Sequence, residues 1–121
     1  MALACTHIRF ALDLQEQLAI TDLPQYLSGT IYPDSRFVSR IARDLTHGQK
    51  FLQPDWWRDD DFKTGWMVHL LADKGQLNAM EQLFPSILTL DRSQGSDWWV
   101  LITAKKIIQD IQVRTYAFAS K

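Results

Sequence analysis

Apolar positions along this chain recur mostly at steps of three and four, the period of helices with one buried stripe. From His7 the set Ile8, Phe10, Ala11, Leu14 and Leu18 forms one such stripe. Asp22 offers an N-cap for a second, short helix, with Pro24 inside its first turn, where a missing N–H costs little. That element carries Tyr26, Leu27 and Ile31 and is expected to stop near Pro33, since a residue before proline avoids the α region. A third helical piece, roughly Arg36 to Leu45, shows Phe37, Ile41 and Leu45 at spacing four.

The stretch Thr46 to Pro54 is polar and punctuated by Gly and Pro. Asp59-Asp60-Asp61 then marks a helix start, because carboxylates favour the positive end of the helix dipole. The run lacks the alternating spacing and terminal Glu of a calcium loop. Its helix is expected to reach about Phe84, just before Pro85. Pro85 to Ser96 reads as a loop, and Asp97 can cap a last helix from Trp98 to about Phe118. The candidate face of that helix is Trp99, Ile102, Lys105, Ile108, Ile111 and Thr115. Its β-branched residues leave a strand open, but the length favours a helix. The pattern predicts an all-α fold, a single-domain bundle of four to five helices over residues 1–121 with no internal repeat.

Composition narrows the function more than the fold. A content of 46% apolar and 22% charged residues argues against disorder, and a formal charge of −1 removes the electrostatic case for general nucleic-acid binding. No apolar run approaches the ~18–20 residues that span a bilayer. His7, Arg9, Asp13 and Glu16 interrupt the N-terminus, so no signal peptide is expected, and the expected location is the cytoplasm. The lone Cys5 cannot form an internal disulfide or a thiolate-rich metal site, and it reads as an inert thiol despite the nearby His7. Neither a Gly-rich phosphate loop nor a G-x-S-x-G elbow occurs.

The strongest local signal is Gly65-Trp66-Met67-Val68-His69-Leu70-Leu71-Ala72-Asp73. On a helix His69 and Asp73 share one face, and Gly65 lies one turn before them. A mid-helix glycine costs ~1 kcal/mol relative to alanine, so close approach of another backbone or of metal ligands is expected there. The neighbours are apolar, and a buried carboxylate is expensive unless paired or bound to a cation. Alone, H-x-x-x-D also describes a pair facing water or an Asp that orients a His. The chain's other histidines add weight: His7 follows Thr6, and His47 follows Asp44-Leu45-Thr46. Between them, Asp34 sits directly after Pro33 at a helix end. Imidazoles and carboxylates drawn from several helix ends and one interior suit zinc in a catalytic site.

The order T-H, G-x-x-x-P-D, T-H, G-x-x-x-H-x-x-x-D resembles the zinc-dependent phospholipase C family, whose helical fold is shared with S1/P1-type nucleases. The resemblance covers about residues 6–76 and rests on five ligand positions plus Gly29, Pro33 and Gly65. It implies metal binding by His7, Asp34, His47, His69 and Asp73, with Asp73 bridging two zinc ions. It also implies a shortened phospholipase C/P1-like scaffold. The family's third metal needs later His and Glu ligands, whereas no His follows His69 and the only later Glu is Glu81. The opening Met1-Ala2-Leu3 does not match the family's N-terminal Trp ligand either. A reduced site of one or two divalent ions remains, zinc first, with iron or manganese as alternatives.

Neutral imidazoles and two carboxylates carry −2, so two divalent cations would leave +2, attractive to a phosphate, and one would leave the cluster near neutral. The expected chemistry is therefore phosphoester hydrolysis by a metal-bound hydroxide, with Asp34 and Asp73 as the catalytic carboxylates. A small phosphoester or phospholipid-like molecule is the expected substrate. Arg36 and Arg40 are candidate phosphate contacts, against a solvated helix face as the plain alternative. Trp56-Trp57 and Trp98-Trp99 would suit either a wall for a cationic headgroup or core packing, with packing the simpler reading, as it is for Trp66. The competing reading is a non-catalytic helical module that keeps a degenerate metal site and acts through a partner or as a homo-oligomer. An HD-type phosphohydrolase needs an adjacent His-Asp pair, and none occurs.

Overall fold

The computed structural model describes residues 4–83, 104 and 106–112, and it is mostly helical, with no strand among the described residues. The elements are α1 (Ala4–Leu14), α2 (Leu23–Ile31), α3 (Arg36–Ser39), α4 (Asp44–His47), α5 (Pro54–Trp57) and α6 (Asp61–Leu83). Two 3-10 turns, Tyr32–Ser35 and Gln49–Leu52, join them, and residues 106–112 are helical. The chain is all-α as expected, but in more and shorter pieces than four to five helices.

The starts of α2 and α6 are tied together by carboxylates. Asp22 accepts from the Gln25 N–H at 3.1 Å, and Asp60 accepts from the Lys63 N–H at 3.0 Å, each capping its own helix. Asp61 instead reaches back to the residues before α2, accepting from the Asp22 N–H at 2.6 Å and from the N–H and hydroxyl of Thr21 at 3.1 Å each. The Asp22 N–H above all holds the Asp61 carboxyl below its usual range. The acidic run thus serves helix ends, as expected.

The main packing event is the crossing of α2 and α6. A Cβ on Gly29 would lie 1.9 Å from the Phe62 carbonyl oxygen, and one on Gly65 would lie 2.0 Å from that of Tyr26. The two helices therefore meet backbone to backbone, which is why Gly65 carries no side chain. Tyr26, Val68, Met67 and Ala11 fill the core around the crossing, with Phe10, Leu14 and Leu18 packed against it. The Tyr26 hydroxyl donates to the Ala11 carbonyl at 2.8 Å and so fastens α1 to α2. Burial pushes that phenol up to about 12. Trp66 lies 4.7 Å from Tyr32, 4.8 Å from Phe51 and 5.2 Å from Trp56, ring centre to ring centre. Trp56 and Trp66 are thus packing residues, and Trp57 is half-buried against the core with its indole N–H on the Leu52 carbonyl.

Three expectations change. The first helix ends at Leu14, four residues short of Leu18, and Ala19 turns the chain at a φ of 53°. The third helical piece breaks in two, because Arg40 adopts a φ of 62° and its N–H closes α3 on the Arg36 carbonyl. Phe37 and Leu45, placed on one stripe by their spacing, are instead 57% and 54% exposed. Both ends of this stretch, Asp34 and His47, are drawn to one interior point, so the residues between them must loop outward. In the C-terminal segment Ile108 and Ile111 are exposed whereas Lys106 is buried, so the expected face is not the one that packs. Trp98, Trp99, Ile102, Lys105 and Thr115 lie outside the described residues. Residues 106–112 dock through Asp110, which accepts from the Thr6 N–H at 3.0 Å, and through Gln109, which accepts from the Gln76 amide.

Gly65→Ala and Gly29→Ala should each destabilise by about 3 kcal/mol or more, because backbone atoms cannot move aside as side-chain tips do. Gly75→Ala, where a Cβ meets nothing within 4 Å, should stabilise by up to ~1 kcal/mol through helix propensity. Urea midpoints of the three variants test this contrast.

Candidate metal centre

Four elements deliver the candidate ligands to one place. His7 comes from the first turn of α1, Asp34 from the 3-10 turn after α2, His47 from the last residue of α4, and His69 and Asp73 from successive turns of α6. The Nε2 of His7 lies 3.2 Å from Asp73 and 3.9 Å from Asp34. That of His47 lies 3.6 and 3.7 Å from the same two carboxylates, and that of His69 lies 3.4 Å from both. His7, His47 and His69 are almost fully buried, Asp73 is 13% exposed and Asp34 is 26% exposed, so the cluster opens on the Asp34 side.

Hydrogen bonds behind the imidazoles fix which nitrogen faces inward. The His69 Nδ1 lies 2.7 Å from the Thr30 carbonyl, which can only accept, so Nδ1 carries a proton. The Thr46 hydroxyl donates to the Arg43 carbonyl at 3.2 Å, so it accepts from the His47 Nδ1 at 2.7 Å. The Trp66 indole N–H holds the Thr46 carbonyl at 2.7 Å and anchors that arrangement to α6. Both Nε2 atoms are thereby aimed at the carboxylates, the outer-shell pattern of histidines that ligate metals. All three Nε2 atoms and the Asp34 Oδ1 are buried with no hydrogen-bond partner among the described residues. Leaving such groups unsatisfied costs free energy, and a cation would satisfy them together.

Two donor groups could hold an ion, His7-Asp34-His69 and His47-His69-Asp73, the atoms of each lying within 4.8 Å of one another. Ring geometry argues against the first as a single cage. The His7 and His69 rings stack 3.7 Å apart at 13°. An imidazole binds a metal in its ring plane, and no ion lies in two near-parallel planes at that separation. The carboxylates divide the same way. Asp34 turns Oδ2 and Asp73 turns Oδ1 to His7, whereas their other oxygens, Oδ1 and Oδ2, face His47 and His69. The donors sort into a His7 side and a His47/His69 side, with both carboxylates spanning the two.

The cluster's protonation follows from this crowding. Burial opposes a charge on His69, but Asp34 and Asp73 outweigh it and raise its pKa to about 9. Burial also lowers His47, and the nearby Arg43 guanidinium lowers it further, to about 4. Burial would raise Asp73, yet His69 and His7 hold it far below the usual carboxylate range. In the absence of metal the two carboxylates thus favour a proton on His69.

Sequence reasoning singled out the five ligands but missed the groups behind them: Thr30, Thr46, Trp66 and Arg43. Only the Thr-His dipeptide at 46–47 hinted at Thr46. The structure does not join Arg36 and Arg40 to the ligands as a pair. Arg36 lies with its guanidinium 4.6 Å from the Phe37 ring centre, and Arg40 is the exposed residue at the helix break.

The metal-free protein should be most stable near pH 6.5. His69, raised in the folded state, contributes fully below 6.5 and loses that contribution as pH climbs through about 9. His47, depressed in the folded state, costs nothing above 6.5 but destabilises as pH falls towards about 4. Thermal melts of chelator-treated protein across this range should trace a maximum that flattens in His69→Gln.

No family model, curated protein or solved structure matches this chain.

Proposed function

We propose that this chain is a metal-dependent hydrolase of phosphoesters that holds two divalent ions, zinc before iron or manganese, on His7, Asp34, His47, His69 and Asp73. The convergence of three imidazole nitrogens, two of them oriented by hydrogen bonds, with two carboxylates supports this reading. Divalent ions bound there would polarise a phosphoryl oxygen and bring the pKa of a bound water towards ~7. The chain's own residues supply orientation. Thr30 and Thr46 keep the His69 and His47 Nε2 atoms facing inward, and the buried Asp73 spans the cluster. Asp34, the more exposed carboxylate, orients water and substrate at the open side. The order of the motifs resembles the phospholipase C/P1 nuclease-like scaffold, here in shortened form.

A non-catalytic module acting through a partner is the second reading. It draws on the exposed Phe37, Val38 and Leu45, which a small enzyme has no need to show.

Elemental analysis of untagged protein should show about two ions per chain, as the two-metal arrangement requires. His69→Ala should lose them with helicity retained. Hydrolysis of bis(p-nitrophenyl) phosphate should fall by more than ~100-fold in Asp73→Asn, beyond what outer-shell losses cause. Metal-free protein that takes up no ion would overturn the reading, and two ions without hydrolysis would favour the module.

Thr46→Val should weaken metal affinity by ~10–100-fold, because it frees the His47 tautomer and ring without removing a ligand. Competition with a zinc indicator measures it.

A further inference from the structure

Residues 36–45, Arg-Phe-Val-Ser-Arg-Ile-Ala-Arg-Asp-Leu, join two of the candidate ligands across the surface. Val38 is 89% exposed, Phe37 57% and Leu45 54%. Arg36, Arg40 and Arg43 against the single Asp44 give this strip +2 in a chain whose formal charge is −1. The half-buried Arg36 places its guanidinium 4.6 Å from the centre of the exposed Phe37 ring. These apolar side chains are interleaved with arginines on two four-residue helices either side of a left-handed break.

We propose that residues 36–45 dock this protein onto an anionic lipid bilayer. Phe37, Val38 and Leu45 enter the boundary between headgroups and acyl chains, and the arginines meet lipid phosphates. A nucleic acid would match the arginines but leave Val38 and Leu45 in water. The strip starts two residues after Asp34 and ends two residues before His47. Docking therefore brings the open, Asp34 side of the ligand cluster to headgroup level. Only that consequence rests on the hydrolase reading; the docking itself needs no metal.

The test is sedimentation of the full chain, metal-loaded and chelator-treated, with phosphatidylcholine vesicles with and without phosphatidylserine. Binding is expected to the anionic vesicles, to weaken with salt and to survive chelation. At exposed positions, Val38→Asp, a change of one charge, should weaken it ~5-fold and Arg40→Glu, a change of two, ~25-fold. Circular dichroism and metal content should stay unchanged in both variants. Absence of binding, equal binding to neutral vesicles, or wild-type binding by both variants would overturn the proposal. So would binding that requires the metal and ignores both substitutions, which is headgroup capture at the ligand cluster. A dimer that Val38→Asp disperses, without vesicle binding, would assign the strip to a second copy instead.

Discussion

Contact between the backbones of α2 and α6, at Gly29 and Gly65, sets the spacing on which the rest of the structure depends. With side chains at those positions the helices would stand apart, and the Thr30 carbonyl could not reach the His69 imidazole at 2.7 Å. The same approach hangs the turn bearing Asp34 beside α6, since that turn follows α2 directly. Tyr26, buried at the crossing, carries the constraint to α1 through the Ala11 carbonyl, and so indirectly to His7. Asp61 repeats the tie at the other end, holding the residues before α2 against the start of α6.

Packing alone would make a poor case for placing three imidazoles and two carboxylates inside so small a protein. Burial disfavours every charge among them, so the cluster survives only because the groups compensate one another. Without metal, Asp34 and Asp73 favour the protonated form of His69. Burial, helped by Arg43, sharpens the asymmetry by disfavouring a charge on His47, which leaves its Nε2 lone pair ready to donate. The hydrogen bonds that His69 and His47 donate to Thr30 and Thr46 do not depend on the occupant, because they involve the outer nitrogens. The cluster is thus oriented in advance, and its charge is what a bound cation would change.

Much of this arrangement is legible in the amino-acid string. The mid-helix Gly65 calls for a close neighbour, which proves to be the Tyr26 backbone, Asp22 and the acidic run call for helix starts, and His69 with Asp73 calls for a shared face. Each rests on local stereochemistry, which a few adjacent residues settle. The break at Arg40 is not legible there, because nothing in Arg36 to Leu45 forbids a continuous helix. It follows from the capture of Asp34 and His47 at a common point, a constraint between residues that local spacing does not contain. The exposure of Phe37 and Leu45 follows from the same capture. Arg43, Thr30 and Trp66 escape notice for a related reason: an arginine, a threonine and a tryptophan carry no ligand signal until something places them behind one.

By itself, then, the sequence determined the helical class, the helix starts, a close approach of some neighbour at Gly65 and the five candidate ligands. These depend on residue type and on periods of three and four, and both are present in the string. Tertiary structure decided which nitrogen of each imidazole faces inward, how the donors divide into two sides and which imidazole holds the proton. Those are relations among groups from four elements, fixed by ring planes and by distances under 4 Å. The exposed strip between Asp34 and His47 belongs to both levels: its arginines and apolar residues were written in the chain, but only the fold turned them outward.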